Sequence, residues 1–186
     1  KLGLSPVRKQ GNTTHWQCQA VNFLLNETPN GFGAEFANLH GQTACGMGFE
    51  VENPEHAYQT ALERGAKPHP GTDLPYPAIL GVGGCAVYFV NGFQAQSKET
   101  SHGFDPLENP PKYPEMGFEF IDHLTNNVDK GQKEVWSDFY KGIFGFTLRQ
   151  YFDITGEKTG LISDALQSPC KTFCIPINEA KEEKSQ

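Results

Sequence analysis

No apolar run in the 186 residues reaches the roughly 18–20 that a membrane-spanning helix needs. The longest candidate, CAVYFV at 85–90, is of strand length. The opening KLGLSPVRKQ lacks the apolar stretch of a secretory signal. Basic clusters are also missing: the net charge is −7 and the pI near 5.3, which argues against nucleic acid as a partner, because phosphate neutralisation needs grouped Lys and Arg. The five cysteines, at 18, 45, 85, 170 and 174, are scattered and odd in number. Cys170 and Cys174 have no second Cys or His pair nearby to complete a zinc site, so the expectation is reduced, buried thiols in a cytoplasmic protein. In that setting the sequons at Asn12 and Asn26 carry no meaning. Nothing resembles a nucleophile elbow, and His15, His40, His56, His69 and His102 stand in polar, turn-like or helix-surface contexts, which leaves little room for a hydrolase triad. An initial Met is absent and the chain ends on KEEKSQ, as a fragment would.

What is present is the composition of a folded domain or two: 37% hydrophobic, 20% charged, and fourteen Phe. HWQCQ (15–19) and AVNFLLN (20–26) are rich in strand formers and are followed by the turn residues NETPNG. GAEFANLHG is long enough for a turn or two of helix. GMGFEVEN (46–53) then reads as a strand running into a helix, with Asn53 as N-cap, Pro54 at the first helical position and Glu55 facing the positive end of the dipole. Ala57, Tyr58, Ala61 and Leu62 make its buried stripe, and Gly65 its stop. PAILGVG and GCAVYFVN follow as two strands. The GVGGC between them leads into a strand and not a helix, which fits a hairpin turn and not a phosphate loop.

Residues 92–116, with four prolines and no apolar period, read as a linker between residues 1–91 and 117–186. The second half repeats the plan. GFEFIDHLT is predicted as a strand, with Phe118, Phe120, Asp122 and Leu124 on one face and His123 on the other. Val135, Trp136, Phe139, Tyr140, Ile143 and Phe144 form a helical stripe closed by Gly145. FTLRQYFDIT, TGLISDAL and CKTFCIPIN are three further strands, so β-α-β-β-β is spelled out. In a continuous strand Asp122 and His123 point oppositely and cannot readily hold the same ion; a lone strand histidine is ordinarily a satisfied core residue, and spacing alone makes His123 a weak metal-ligand candidate.

IDHLTNNVDKGQKEVWSDFYKGIFGF, YFDITGEKTGLISDAL and IPINEAKEEKSQ resemble the 4-hydroxyphenylpyruvate dioxygenase family, and VNFLLN and GMGFEVENPEHAYQTALERGAK are similar to its N-terminal domain. The resemblance covers nearly the whole chain. It implies an α+β, vicinal-oxygen-chelate fold of βαβββ modules: an N-terminal non-catalytic domain whose first module is incomplete, and the first half of a catalytic barrel. It further implies an enzyme of tyrosine and phenylalanine catabolism that uses Fe(II). Such an enzyme converts 4-hydroxyphenylpyruvate and O2 to homogentisate and CO2 by oxidative decarboxylation, ring hydroxylation and side-chain migration. By the same resemblance His123 of the xDH motif is an iron ligand. Ser163 in GLxSxAL, Asn178 in PxNE beside Pro176, and Gln186 in KSQ face the substrate. The other two iron ligands, a His in a GxQH-type motif and a Glu, have no counterpart here, so the 186 residues alone are expected to be inactive. A homo-oligomer is also implied. The alternatives are hydroxymandelate synthase, which shares substrate and ligands, and a non-catalytic module that binds a small ligand.

Overall fold

The computed structural model describes residues 2–93, 103–156 and 159–182. They divide into two compact units: residues 1–60, 67–81 and 85–120, and residues 61–66, 82–84 and 121–186.

In the first unit β1 (Ser5–Gln10), β2 (Thr13–Cys18) and β3 (Val21–Asn26) form an antiparallel meander. β1 escapes the sequence reading because SPVRKQ has a proline and two adjacent charges in place of an apolar alternation; pairing on both sides holds it in the sheet. α1 (Phe32–His40) starts on the Asp73 carboxylate, which accepts the Phe32 and Gly33 N–H groups at 3.1 and 2.8 Å. β4 (Gly46–Glu50) leads to α2 (Pro54–Glu63), where Asn53 Oδ1 accepts the His56 N–H at 3.0 Å, the expected cap. β5 (Ala78–Leu80) and β6 (Ala86–Val90) pair antiparallel across Gly83 and Gly84, both at positive φ, and β4 runs parallel to β6. The glycine run is a hairpin turn, as its context suggested.

The described part of the stretch expected as a linker is packed onto this unit. β7 (Asp105–Pro106) extends the sheet beside β1, giving the order β3-β2-β1-β7. Phe104 is buried in one core with Tyr76, Ala78, Ala86, Tyr88 and Val90. Another expectation is reversed at His15. It is fully buried, with Nε2 at 2.9 Å from Asn22 Oδ1 and its ring edge against Phe93, and burial pushes its pKa below 6.5.

The second unit is one module: β8 (Asn126–Val128), α3 (Lys133–Phe144), β9 (Thr147–Thr155), β10 (Gly160–Gln167) and β11 (Cys174–Ala180). The sheet order is β8-β11-β10-β9, with β8 parallel to β11 and the other pairs antiparallel. Tyr140 and Ile143 of α3 are buried, as are Leu166, Ile175 and Ile177 on the strands. Gly145 ends the helix at φ 72°, its N–H bonded to the Lys141 carbonyl.

Three expectations are corrected here. The strand predicted over 117–125 is no regular strand; only 126–128 is, with an isolated bridge at His123. β11 begins at Cys174, so residues before 122 have no strand beside them. Phe118 and Glu119, which belong to the first unit, instead accept hydrogen bonds from its Cys18 thiol and Ala20 N–H. The helical stripe is also rotated: Val135 is 56% exposed, whereas Lys133 and Ser137 are buried. The thiols are not uniformly buried either, since Cys170 is exposed, though all five are free.

Candidate metal and substrate face

The site is built on a line of parallel pairing. Asn126, Asn127 and Val128 lie opposite Ile177, Asn178 and Glu179, and the bridge of His123 to Cys174 keeps the same 51-residue offset. Leu124 N–H donates to the Cys174 carbonyl and Cys174 N–H to that of Asp122, both at 3.3 Å. Residues directly opposite in a ladder share a face of the sheet. His123 and Asn127 therefore lie on the face of Cys174 and Asn178. Ser163 pairs with Asn178 on one side and Phe152 on the other, which adds both to that face. The fold thus brings three of the four predicted site residues, His123, Ser163 and Asn178, to one side of one sheet. Gln186 lies outside the described residues.

His123 is half exposed, its side chain 52% accessible, and Nδ1 sits 2.8 Å from Asp122 Oδ2. A carboxylate only accepts, so Nδ1 donates to it, and in the neutral imidazole Nε2 then keeps its lone pair for an electrophile. The two side chains meet because 122–123 lies outside any regular strand, contrary to the opposed orientation that strict alternation required. A ligating imidazole held by a carboxylate through its other nitrogen is the usual outer support of a metal-bound histidine. The fit to iron is that of a single ligand: among the described residues no group of three His, Cys, Asp or Glu could hold an ion.

The remaining surface of this face is mixed. Ser163 is buried, Asn178 is half-buried, and Phe152 and Ile154 of β9 are 37% and 53% exposed. Asn178 Nδ2 donates to Asn127 Oδ1 at 3.3 Å. Asn127 escaped the sequence reading, although its place four residues after His123, an even number of strand steps, signals the same face.

The opposite face belongs to α3 and is structural. Asp164 accepts from Lys133 Nζ at 2.9 Å and Ser137 Oγ at 2.7 Å, all three buried. Burial alone would lower the Lys133 pKa, but the carboxylates of Asp164 and Glu134 outweigh it and raise it above 10.5. Glu179 Oε2 takes the Lys133 N–H at 2.9 Å, capping a helix whose own N-cap, Gln132, makes no side-chain bond. Burial would raise the Glu179 pKa, yet the N–H groups of Gly131, Lys133 and Gln132 and the Lys133 charge hold it below 4.5. A hollow of the first unit lined by Thr13, Thr72 and Asp73 makes a poor rival site: Asp73 is already engaged by α1 and by Asn26 Nδ2 at 2.7 Å.

Known proteins resemble this chain. The family profile described as "Hydroxyphenylpyruvate dioxygenase, HPPD, N-terminal" matches residues 1–105. Protein MelA of Shewanella colwelliana is 48% identical over 184 residues, covering 97% of this chain and 53% of MelA. A 4-hydroxyphenylpyruvate dioxygenase of Pseudomonas sp. (strain P.J. 874) is 41% identical over 165 residues, covering 86% of this chain and 46% of the relative. The chain thus spans about half the length of both. The solved structure of a xylose isomerase-like TIM barrel/4-hydroxyphenylpyruvate dioxygenase fusion protein superposes with a TM-score of 0.76 at 24% identity, over 97% of this chain and 28% of that one. That likeness gives the fold, α+β of the vicinal-oxygen-chelate type; the profile gives the lineage, and the chain belongs to the hydroxyphenylpyruvate dioxygenase family.

Proposed function

We propose that the protein carrying this chain is an Fe(II)-dependent dioxygenase that converts 4-hydroxyphenylpyruvate and O2 to homogentisate and CO2, a step of tyrosine catabolism. The observation that carries this reading is the shared sheet face of His123, Ser163 and Asn178, with the His123 Nε2 lone pair free of Asp122. His123 would supply one ligand to the metal. Iron, when bound, would supply the capacity to activate O2 and to hold an α-keto acid. The chain's own residues do the rest. Asp122 keeps the imidazole in the tautomer that can ligate. Ser163 and Asn178 are neutral hydrogen-bonding groups, able to orient an aromatic ring and its hydroxyl without a competing charge. Phe152 and Ile154 offer the apolar contact that a phenyl ring needs and that keeps water away from an oxidising centre.

The test is product analysis. The purified protein carrying this chain, loaded with Fe(II), is given 4-hydroxyphenylpyruvate and O2, and the products are separated by chromatography. Homogentisate is the expected product. Release of 4-hydroxymandelate would show the synthase reaction instead, and absence of any O2 uptake would contradict the enzyme reading altogether.

A further inference from the structure

The pairing of β9 with β10 is interrupted once. It runs Phe152 with Ser163, Tyr151 with Asp164 and Gln150 with Ala165, then resumes at Leu148 with Leu166, so Arg149 has no residue of its own opposite it. Strict alternation would send Arg149 to the side of Tyr151, the α3 face, where Lys133 Nζ lies over the Tyr151 ring. In a bulge two successive residues oppose one, and the extra side chain is re-aimed. Here the guanidinium crosses β10 to reach β11, and Nη1 donates to Cys174 Sγ at 3.7 Å. Cys174 lies on the candidate face and is bridged to His123. The bulge thus carries a positive charge onto that face, to the row that holds the imidazole.

A thiol is a weak acceptor and takes one of five guanidinium donors. The rest of the fork has no side-chain partner among the described residues, and no carboxylate there forms an ion pair with it. The side chain is exposed. A planar fork of N–H donors matches the two oxygens of a carboxylate.

We propose that Arg149 is a binding residue for the carboxylate of an α-keto acid, and that its charge draws the anionic end of the substrate toward His123. The assignment rests on the arylpyruvate reading of this face and adds to it the residue that selects an anionic head. The β9 bulge is what puts the residue there.

Equilibrium binding of 4-hydroxyphenylpyruvate to the Fe(II)-loaded protein carrying this chain, measured by calorimetry without O2 at low and high salt, tests the charge directly. Arg149→Gln is expected to weaken binding about fivefold, the weight of one exposed ion pair, with the iron content unchanged. Arg149→Lys keeps the charge without the fork and should recover part of that loss. Added salt should weaken binding to the wild type and to the Lys variant, and should do so less in the Gln variant. A Gln variant that binds like the wild type, a loss that follows lost iron, or a salt dependence equal in all three proteins would overturn the assignment and leave the enzyme reading intact. A wild-type protein that does not bind the keto acid would remove the reading beneath it, and the proposal with it.

Discussion

Cys170, in the turn between β10 and β11, has its sulfur 3.2 Å from Ser168 Oγ and 3.0 Å from Thr172 Oγ1. Hydroxyls that donate to the thiolate stabilise it, and the pKa falls from 9.0 to about 7. Cys85 shows the opposite: burial and the neighbouring Cys45 raise it to about 11. Alkylation of the native protein with iodoacetamide at pH 8, read by peptide mass spectrometry, should therefore label Cys170 first and Cys85 far later. Replacing Ser168 with Ala should slow Cys170; equal rates at the two thiols would contradict the assignment. The histidines make the same point about surroundings. His15 looked polar and turn-like in sequence and is the buried one, whereas His123 looked like a core strand residue and is half exposed. Neither outcome is written in the flanking residues, because burial is decided by what the rest of the fold lays against them.

At the scale of elements, α2 and the C-terminal end of α3 were legible: Asn53, Pro54, Gly65 and Gly145 act through local backbone geometry that a sequence displays directly. What was not legible depends on long-range partners. The predicted strand over 117–125 fails because β11 starts too late to pair with it, and the α3 stripe shifts because a buried carboxylate, Asp164, draws Lys133 and Ser137 inward. A sequence stripe drawn on apolar residues cannot anticipate a buried lysine. Asp164→Ala leaves the Lys133 ammonium buried without that partner and should cost about 3–5 kcal/mol in chemical denaturation, while apolar replacement of both residues should recover most of it. The pH dependence has two limbs. The folded Glu179 pKa is depressed, so its contribution is present above 4.5 and is lost as pH falls through the folded value. The Lys133 pKa is raised, so its contribution is present below 10.5 and lost as pH rises through the folded value. Glu179→Gln should flatten the acid limb alone; an unchanged acid limb would show that the cap contributes nothing.

For the molecule as a whole, each compact unit holds a parallel strand pair separated in sequence by a helix, β4 with β6 in the first and β8 with β11 in the second. In the second unit α3 takes one face of the sheet and the candidate site takes the other. The site residues are proposed from their motif resemblance, not from spacing: Ser163 and Asn178 are separately ordinary strand residues, and the register of β10 on β11 sets them side by side. His123 offers one imidazole, and among the described residues no group of three His, Cys, Asp or Glu could hold a metal, so the iron proposed there would need further ligands from elsewhere. No described helix is long and apolar enough to cross a membrane. The most direct test of the central claim is therefore iron content and turnover in the protein carrying this chain, with His123 intact or replaced by Ala. The account expects the variant to hold less than about a tenth of the wild-type iron and to lose homogentisate formation by more than about 100-fold, with its unfolding midpoint little changed. A variant that keeps wild-type iron and turnover would contradict it.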